Sequence, residues 1–112
     1  DGTESVASAL RSACTNFEGV VLTIGGTGFG PRDLTPEATE QVVERLAPGL
    51  SEAIRAGSPG GLGRLNRSVC GTVGKSLVAN LPGSPKAATE CWETVADVVP
   101  HIHELLIGEI PH

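Results

Sequence analysis

Two glycine-rich breaks hold the residues of this sequence best suited to an anionic ligand. Gly25-Gly26-Thr27-Gly28-Phe29-Gly30-Pro31 follows the β-branched run Val20-Val21-Leu22-Thr23-Ile24, and Pro82-Gly83-Ser84-Pro85 follows Lys75 to Leu81. Each reads as a loop at the carboxyl end of a strand that leads into a helix, where free N–H groups and the helix dipole favour phosphate. A βα turn can hold glycine for steric reasons alone, but the three glycines at 25, 26 and 28 exceed what a turn needs. Asp33 lies just past the first loop, close to a helix start. A carboxylate there either complements the helix dipole or faces a bound phosphate across Mg²⁺. Arg32 beside it can neutralise anions.

Other chemistries fail on spacing. The dinucleotide pattern GxGxxG laid on Gly26 and Gly28 requires glycine where Pro31 stands. Gly74-Lys75-Ser76 resembles the end of a P-loop, but its opening glycine would fall at Val69 and the segment runs into a strand. His101 and His103 are two apart on a helix, so they point to nearly opposite sides and cannot share one ion; His112 is terminal and alone. Cys14, Cys70 and Cys91 form no metal-ligand or redox spacing, and an odd count argues against a disulfide framework. They read as small buried hydrophobes in a reducing compartment, which points to the cytoplasm.

The elements that must position the loops follow from periodicity. Val6, Leu10, Ala13 and Cys14 mark one face of a helix from Glu4 to Asn16, with Thr3 as its N-cap. The run from Val20 to Ile24 does not alternate, as expected of a parallel, central strand covered on both faces. Thr35 and Pro36 read as N-cap and first residue of a helix to about Leu46, and a short helix follows Pro48-Gly49. Gly57 to Gly63 holds four glycines and a proline in seven residues and reads as a flexible or tightly turned loop. Lys75 to Leu81 is a second buried strand, with a short strand around Ser68 to Cys70 before it. Ala88, Cys91, Trp92, Val95, Val99, Ile102 and Leu106 mark a long helix kinked at Pro100.

Strands alternating with helices give an α/β fold with a mainly parallel sheet. The 112 residues suit one domain, and 39% hydrophobic residues can fill its core. Only two strands are firmly read and the first helix has no strand before it, so a βαβ unit upstream is expected to be missing. The absence of methionine, including an initiator, fits a processed chain or a fragment. No apolar stretch approaches the roughly 20 residues of a membrane span. Net charge is −5, yet residues 53–89 hold five of the eight basic residues and none of the thirteen acids, so anions are drawn to the middle. An acidic chain with Phe17, Phe29 and Trp92 as its only aromatics argues against nucleic-acid binding.

Joined together, Thr23-Ile24-Gly25-Gly26-Thr27-Gly28-Phe29-Gly30-Pro31-Arg32-Asp33-Leu34-Thr35-Pro36-Glu37-Ala38 closely resembles the GGTG…RDxTPEA signature of the MogA/MoaB family of molybdenum-cofactor biosynthesis. The likeness continues through Ala47-Pro48-Gly49-Leu50, Leu65-Asn66-Arg67-Ser68-Val69-Cys70-Gly71, Gly74-Lys75 and Asn80-Leu81-Pro82-Gly83-Ser84-Pro85-Lys86, in family order. The NRSVCG and GK elements look closest to the G domain of gephyrin and its plant counterpart. Asn66 stands where many members have serine.

The resemblance implies a three-layer α/β sandwich of the molybdenum-cofactor-binding type, lacking its N-terminal βα part, as a single domain over residues 1–112. It implies a molybdopterin adenylyltransferase that joins AMP from Mg-ATP to the pterin's terminal phosphate and releases pyrophosphate. Asp33 and Asp1 match the family's two functional aspartates and would hold Mg²⁺ or orient the phosphate. Gly25, Gly26, Thr27 and Gly28 would cradle anionic groups, with Asn80, Pro82, Gly83 and Ser84 lining the same pocket. Arg67 and Lys75 would complete the anion site, an assignment that rests on charge. A homotrimer and a MoeA-like metal-insertion domain or protein are the implied partners. The rival reading is a non-catalytic molybdopterin-binding or scaffolding module of the same fold. A hydrolase of the CinA type fits less well, since those carry a different loop after the glycines.

Overall fold

The computed structural model describes residues 2–109. Helix α1 (Gly2–Cys14) leads to strand β1 (Gly19–Ile24), helix α2 (Thr35–Val42), the two-residue strand β2 (Arg45–Leu46) and helix α3 (Pro48–Ala56). A 3-10 segment (Pro59–Leu65) precedes strands β3 (Cys70–Val73) and β4 (Ser76–Leu81); helix α4 (Pro85–Glu93), a 3-10 turn (Ala96–Val98) and helix α5 (Val99–Ile107) follow. The sheet order is β1-β4-β3-β2. β1 and β4 are parallel, pairing Gly19 with Ser76 through Ile24 with Leu81, so both strands end at the same edge and both glycine loops emerge there.

β4 is buried along its whole length and serves both faces of the sheet. Side chains alternate along a strand. Val78 meets Ala7, Leu10, Cys14, Ala38 and Val42 of α1 and α2, while Ala79 and Leu81 meet Ile54, Ala88, Cys91 and Val95 on the other side. Full burial of such an aliphatic side chain contributes about 1.5–3 kcal/mol. The result is the expected α/β sandwich, with helices on both sides of one sheet. Cys14, Cys70 and Cys91 are free and buried, as read from their type. No helix among the described residues is long and apolar enough to cross a membrane.

Several local expectations are corrected. The sheet is mixed: β3 pairs antiparallel with both β4 and β2. A two-residue turn, Gly74-Lys75, joins β3 to β4, and Gly74 takes φ 56°, a conformation that suits a tight hairpin. β1 lies at the end of the sheet, not its centre, and Leu22 and Ile24 are exposed, the latter at 64%. Its β-branched run specifies an extended strand, but burial depends on what packs over it, and no described element lies on its outer edge. Thr3 sits inside α1 instead of capping it. Leu34 is the N-cap of α2, and Thr35 is its first residue. The long final helix is broken earlier than at Pro100, by the 3-10 turn Ala96–Val98, and Pro100 falls in the first turn of α5, where a missing N–H costs nothing. The 57–63 loop is ordered into the 3-10 segment, with Gly60 and Gly61 at positive φ.

Candidate functional site

The two loops meet at the carboxyl edge of the parallel pair. The Gly25 N–H donates to Leu81 O at 2.9 Å, which fastens the first loop to the end of β4. A Cβ built on Gly83 would stand 3.4 Å from the Gly25 Cα, so the second loop runs alongside the first. Gly25 and Gly26 take φ 97° and 71°. The N–H groups of Gly26, Thr27 and Gly28 find no acceptor among the described residues. Successive unpaired amides in such a turn form a concave anion cradle.

Asp33 turns back into this loop. Its Oδ2 accepts the Gly30 N–H at 2.8 Å, and a Cβ on either Gly28 or Gly30 would lie 2.9 Å from that oxygen. The close approach explains why glycine occupies both positions. Oδ1 has no hydrogen-bond partner among the described residues.

Of the remaining expected residues, the structure gathers some and separates others. Thr27, Pro82 and Ser84 line a cleft of about 260 Å³ together with Ser58, Pro59, Leu62, Leu65, Asn66 and Ala87. Ser84 also caps α4, accepting the Ala87 N–H at 3.1 Å, and Pro85 occupies the first helical position. Asn80 is fully buried beneath the site; its amide donates to Thr23 Oγ1 and Thr39 Oγ1 and its Oδ1 accepts the Val69 N–H. With both amide hydrogens used and no exposed surface, it supports the floor of the site. Arg67 stands beside the first loop, bonded to Gly28 O and Asp33 O. Its partner Glu37 is held below the usual glutamate range by the hydrogen bond from Arg67.

Lys75 is not at the site. It occupies the hairpin turn at the amino end of β4, six residues from the loops, and lines a separate hollow of about 400 Å³ with Cys14, Asn16, Phe17, Glu18 and Gly74. At about 3.3 Å per residue, the strand puts close to 20 Å between them. Its ammonium pairs with Glu18 at 3.6 Å. Net charge over a sequence window cannot tell which end of a strand a lysine marks. Asp1 lies outside the described residues.

Sequence reasoning missed the cleft wall at Ser58, Leu62 and Leu65, because glycine spacing there signals only a turn. It also missed Glu37, whose place in the first turn of a helix is explained by the dipole alone. Among the described residues no cluster of three His, Cys, Asp or Glu side chains could hold a metal ion. His101 and His103 face the grooves on opposite sides of α5.

Comparison with known proteins agrees with this geometry. Residues 1–102 match the family described as "Probable molybdopterin binding domain". The chain is 38% identical to a molybdopterin adenylyltransferase of Helicobacter pylori, over 96% of this chain and 63% of that protein. It is 48% identical to the molybdenum cofactor synthesis protein cinnamon of Drosophila melanogaster, over 80% of this chain and 15% of that protein. The chain thus spans less than two thirds of these relatives. The structure of the molybdopterin biosynthesis Mog protein from Mycobacterium ulcerans superposes with a TM-score of 0.86 at 42% identity, covering 93% of this chain and 69% of that one. Fold, loop geometry and sequence converge: the chain belongs to the molybdopterin-binding domain family of molybdenum-cofactor biosynthesis, of the MogA/MoaB type.

Proposed function

We propose that this domain carries the adenylyl-transfer site of a molybdopterin adenylyltransferase. The observation that carries the reading is that one glycine loop holds three unpaired amides, at Gly26, Thr27 and Gly28, and also anchors the carboxylate of Asp33, which lies against Gly28 and accepts the Gly30 N–H. The reaction joins two polyanions: an oxygen of the molybdopterin phosphate forms a bond to the α-phosphorus of ATP, and the bond from that phosphorus to the bridging oxygen of pyrophosphate breaks. Its barrier is set by charge repulsion and alignment, which fixed dipoles and positioning lower.

In this reading the amides of Gly26, Thr27 and Gly28 receive phosphate oxygens, and the Pro82–Ser84 loop closes the other side. Leu62 and Leu65, both largely exposed in the free protein, offer an apolar wall to a flat heterocycle, with the Asn66 and Ser58 side chains beside them. Asp33 keeps one oxygen on Gly30 and presents the other to the phosphates. A single free carboxylate oxygen, with no dense acidic cluster among the described residues, suits Mg²⁺, which keeps few protein ligands and is completed by substrate phosphates and water. Asp33, with Asp1, would hold it, and it would neutralise charge on the phosphates.

Residues 1–102 match the family, and this supports reading 1–112 as one such domain. The open outer edge of β1 supports a further βα unit before it in the complete sheet. A homotrimer, a MoeA-like partner that inserts the metal, and a cytoplasmic setting complete the proposal. The test is to supply the full-length protein with molybdopterin and Mg-ATP and follow pyrophosphate and adenylyl-molybdopterin. Both should appear in equal amounts. Pterin bound tightly without either product would establish the non-catalytic binding or scaffolding module instead.

A further inference from the structure

All three nitrogens of the Arg67 guanidinium are committed to the first loop and its helix. Nε donates to Gly28 O at 2.8 Å and one Nη to Asp33 O at 2.7 Å. The other Nη is paired with the Glu37 carboxylate. The Phe29 ring lies against the guanidinium, its centroid 5.1 Å from Cζ. The backbone N–H of Arg67 donates to Thr27 O at 2.9 Å. These contacts bracket the turn from Thr27 to Asp33, whose inner bond is the one between the Gly30 N–H and the Asp33 carboxylate. An arginine that recognises phosphate aims its fork at the ligand. Here one N–H of each nitrogen is spent on two carbonyls and a carboxylate, and Arg67 is not among the residues that line the cleft beside Thr27, Pro82 and Ser84, so its fork holds the loop and is not aimed into the cleft.

We propose that Arg67 is a positioning residue, which fixes the glycine loop and Asp33 in the geometry needed for phosphoryl chemistry and does not itself bind substrate phosphate. The catalytic half of this statement rests on the adenylyltransferase reading; the mechanical half does not. The rigid fork is essential to it, since one donor set must span Gly28 and Asp33 while a third nitrogen is held by Glu37. Lysine keeps the charge but is a point donor that cannot make this span.

The test uses the full-length protein with Arg67→Lys and, separately, Glu37→Gln. Hydrogen exchange without ligand should speed up about tenfold or more at the hydrogen-bonded amides of Gly30 and Asp33 in Arg67→Lys, with β4 amides unchanged. In turnover with molybdopterin and Mg-ATP, kcat should fall about tenfold or more while KM for both substrates stays within about threefold. Glu37→Gln should show the same pattern in smaller measure and decides the matter if Arg67→Lys does not fold. Unchanged loop exchange in the variants would overturn the proposal. So would a KM raised about tenfold with kcat kept, the mark of a lost binding contact. If wild type forms no adenylyl-molybdopterin, the enzymatic reading fails on its own and loop exchange alone judges the clasp.

Discussion

The side-chain amide of Asn80 donates to Thr39 Oγ1 at 3.0 Å, joining the strand beneath the site to the helix that follows the glycine loop. Thr39 in turn donates to Thr35 O at 2.8 Å, and both Asn80 and Thr39 are fully buried. The same amide reaches Thr23 Oγ1 at 2.9 Å, and Asn80 Oδ1 accepts the Val69 N–H at 3.0 Å. One residue thus ties together β1, α2, β4 and the segment before β3.

Asn80→Leu leaves the buried Val69 N–H without its acceptor and removes the amide that donates to the Thr23 and Thr39 hydroxyls, of which Thr39 keeps its own bond to Thr35 O. Unpaired buried groups of this kind cost about 1–3 kcal/mol each before relaxation, so a loss of about 2–4 kcal/mol is expected. Urea unfolding of the variant measures it. A change below about 0.5 kcal/mol, the scale of an ordinary surface substitution, would mean that the network does not hold the site floor.

Lys75→Ala should leave KM for both substrates unchanged, because the hairpin turn is a strand's length from the loops. The exposed pair with Glu18 contributes at most about 1 kcal/mol, so stability should change little as well. Steady-state kinetics decide it, and a raised KM would return Lys75 to the anion site.

Gly26 takes φ 71°, and a Cβ on it would meet Thr35 Oγ1 at 2.2 Å. Gly26→Ala therefore combines backbone strain with a clash and should cost about 1–3 kcal/mol. The double variant with Thr35→Ala should recover the part due to the clash. Thermal unfolding of the four proteins in the cycle separates the two contributions.

The Glu37 pKa is lowered, first by the hydrogen bond from Arg67. A depressed folded-state pKa means that its contribution is fully present above the unfolded value, about 4.3, and is lost as pH falls through the folded value. Loop order should accordingly be flat from neutral pH down to about 5 and decline only below the ordinary glutamate range. Amide signals of Phe29 and Gly30 followed by NMR through acid titration test this. A transition near neutrality would contradict it.

The strongest features were legible because each is specified locally. Pro82 to Pro85 is a break that leads from a strand into a helix, β4 is an uninterrupted buried run, and three clustered glycines at 25, 26 and 28 announce a backbone that must bend sharply. What stayed hidden depends on contacts distant in sequence. The direction of Arg67 is set by carbonyls more than thirty positions away, and charge alone suggested an anion site. β1 carries the residues of a central strand but lies at the end of the described sheet. The 3-10 segment at Pro59–Leu65 is shaped by a close approach: a Cβ on Gly63 would stand 1.9 Å from Arg55 O. Only the fold reveals that neighbour.

The central claim is that the Asp33 carboxylate, anchored on Gly30, acts in adenylyl transfer. It is tested most directly by comparing wild type with Asp33→Asn in the full-length protein, measuring adenylyl-molybdopterin formed from molybdopterin and Mg-ATP beside pterin affinity. Wild type should form product and the variant should show a kcat lower by about 10²-fold or more, the usual effect of removing one electrostatic group from an active site, with pterin still bound. Equal turnover by the two proteins would contradict it.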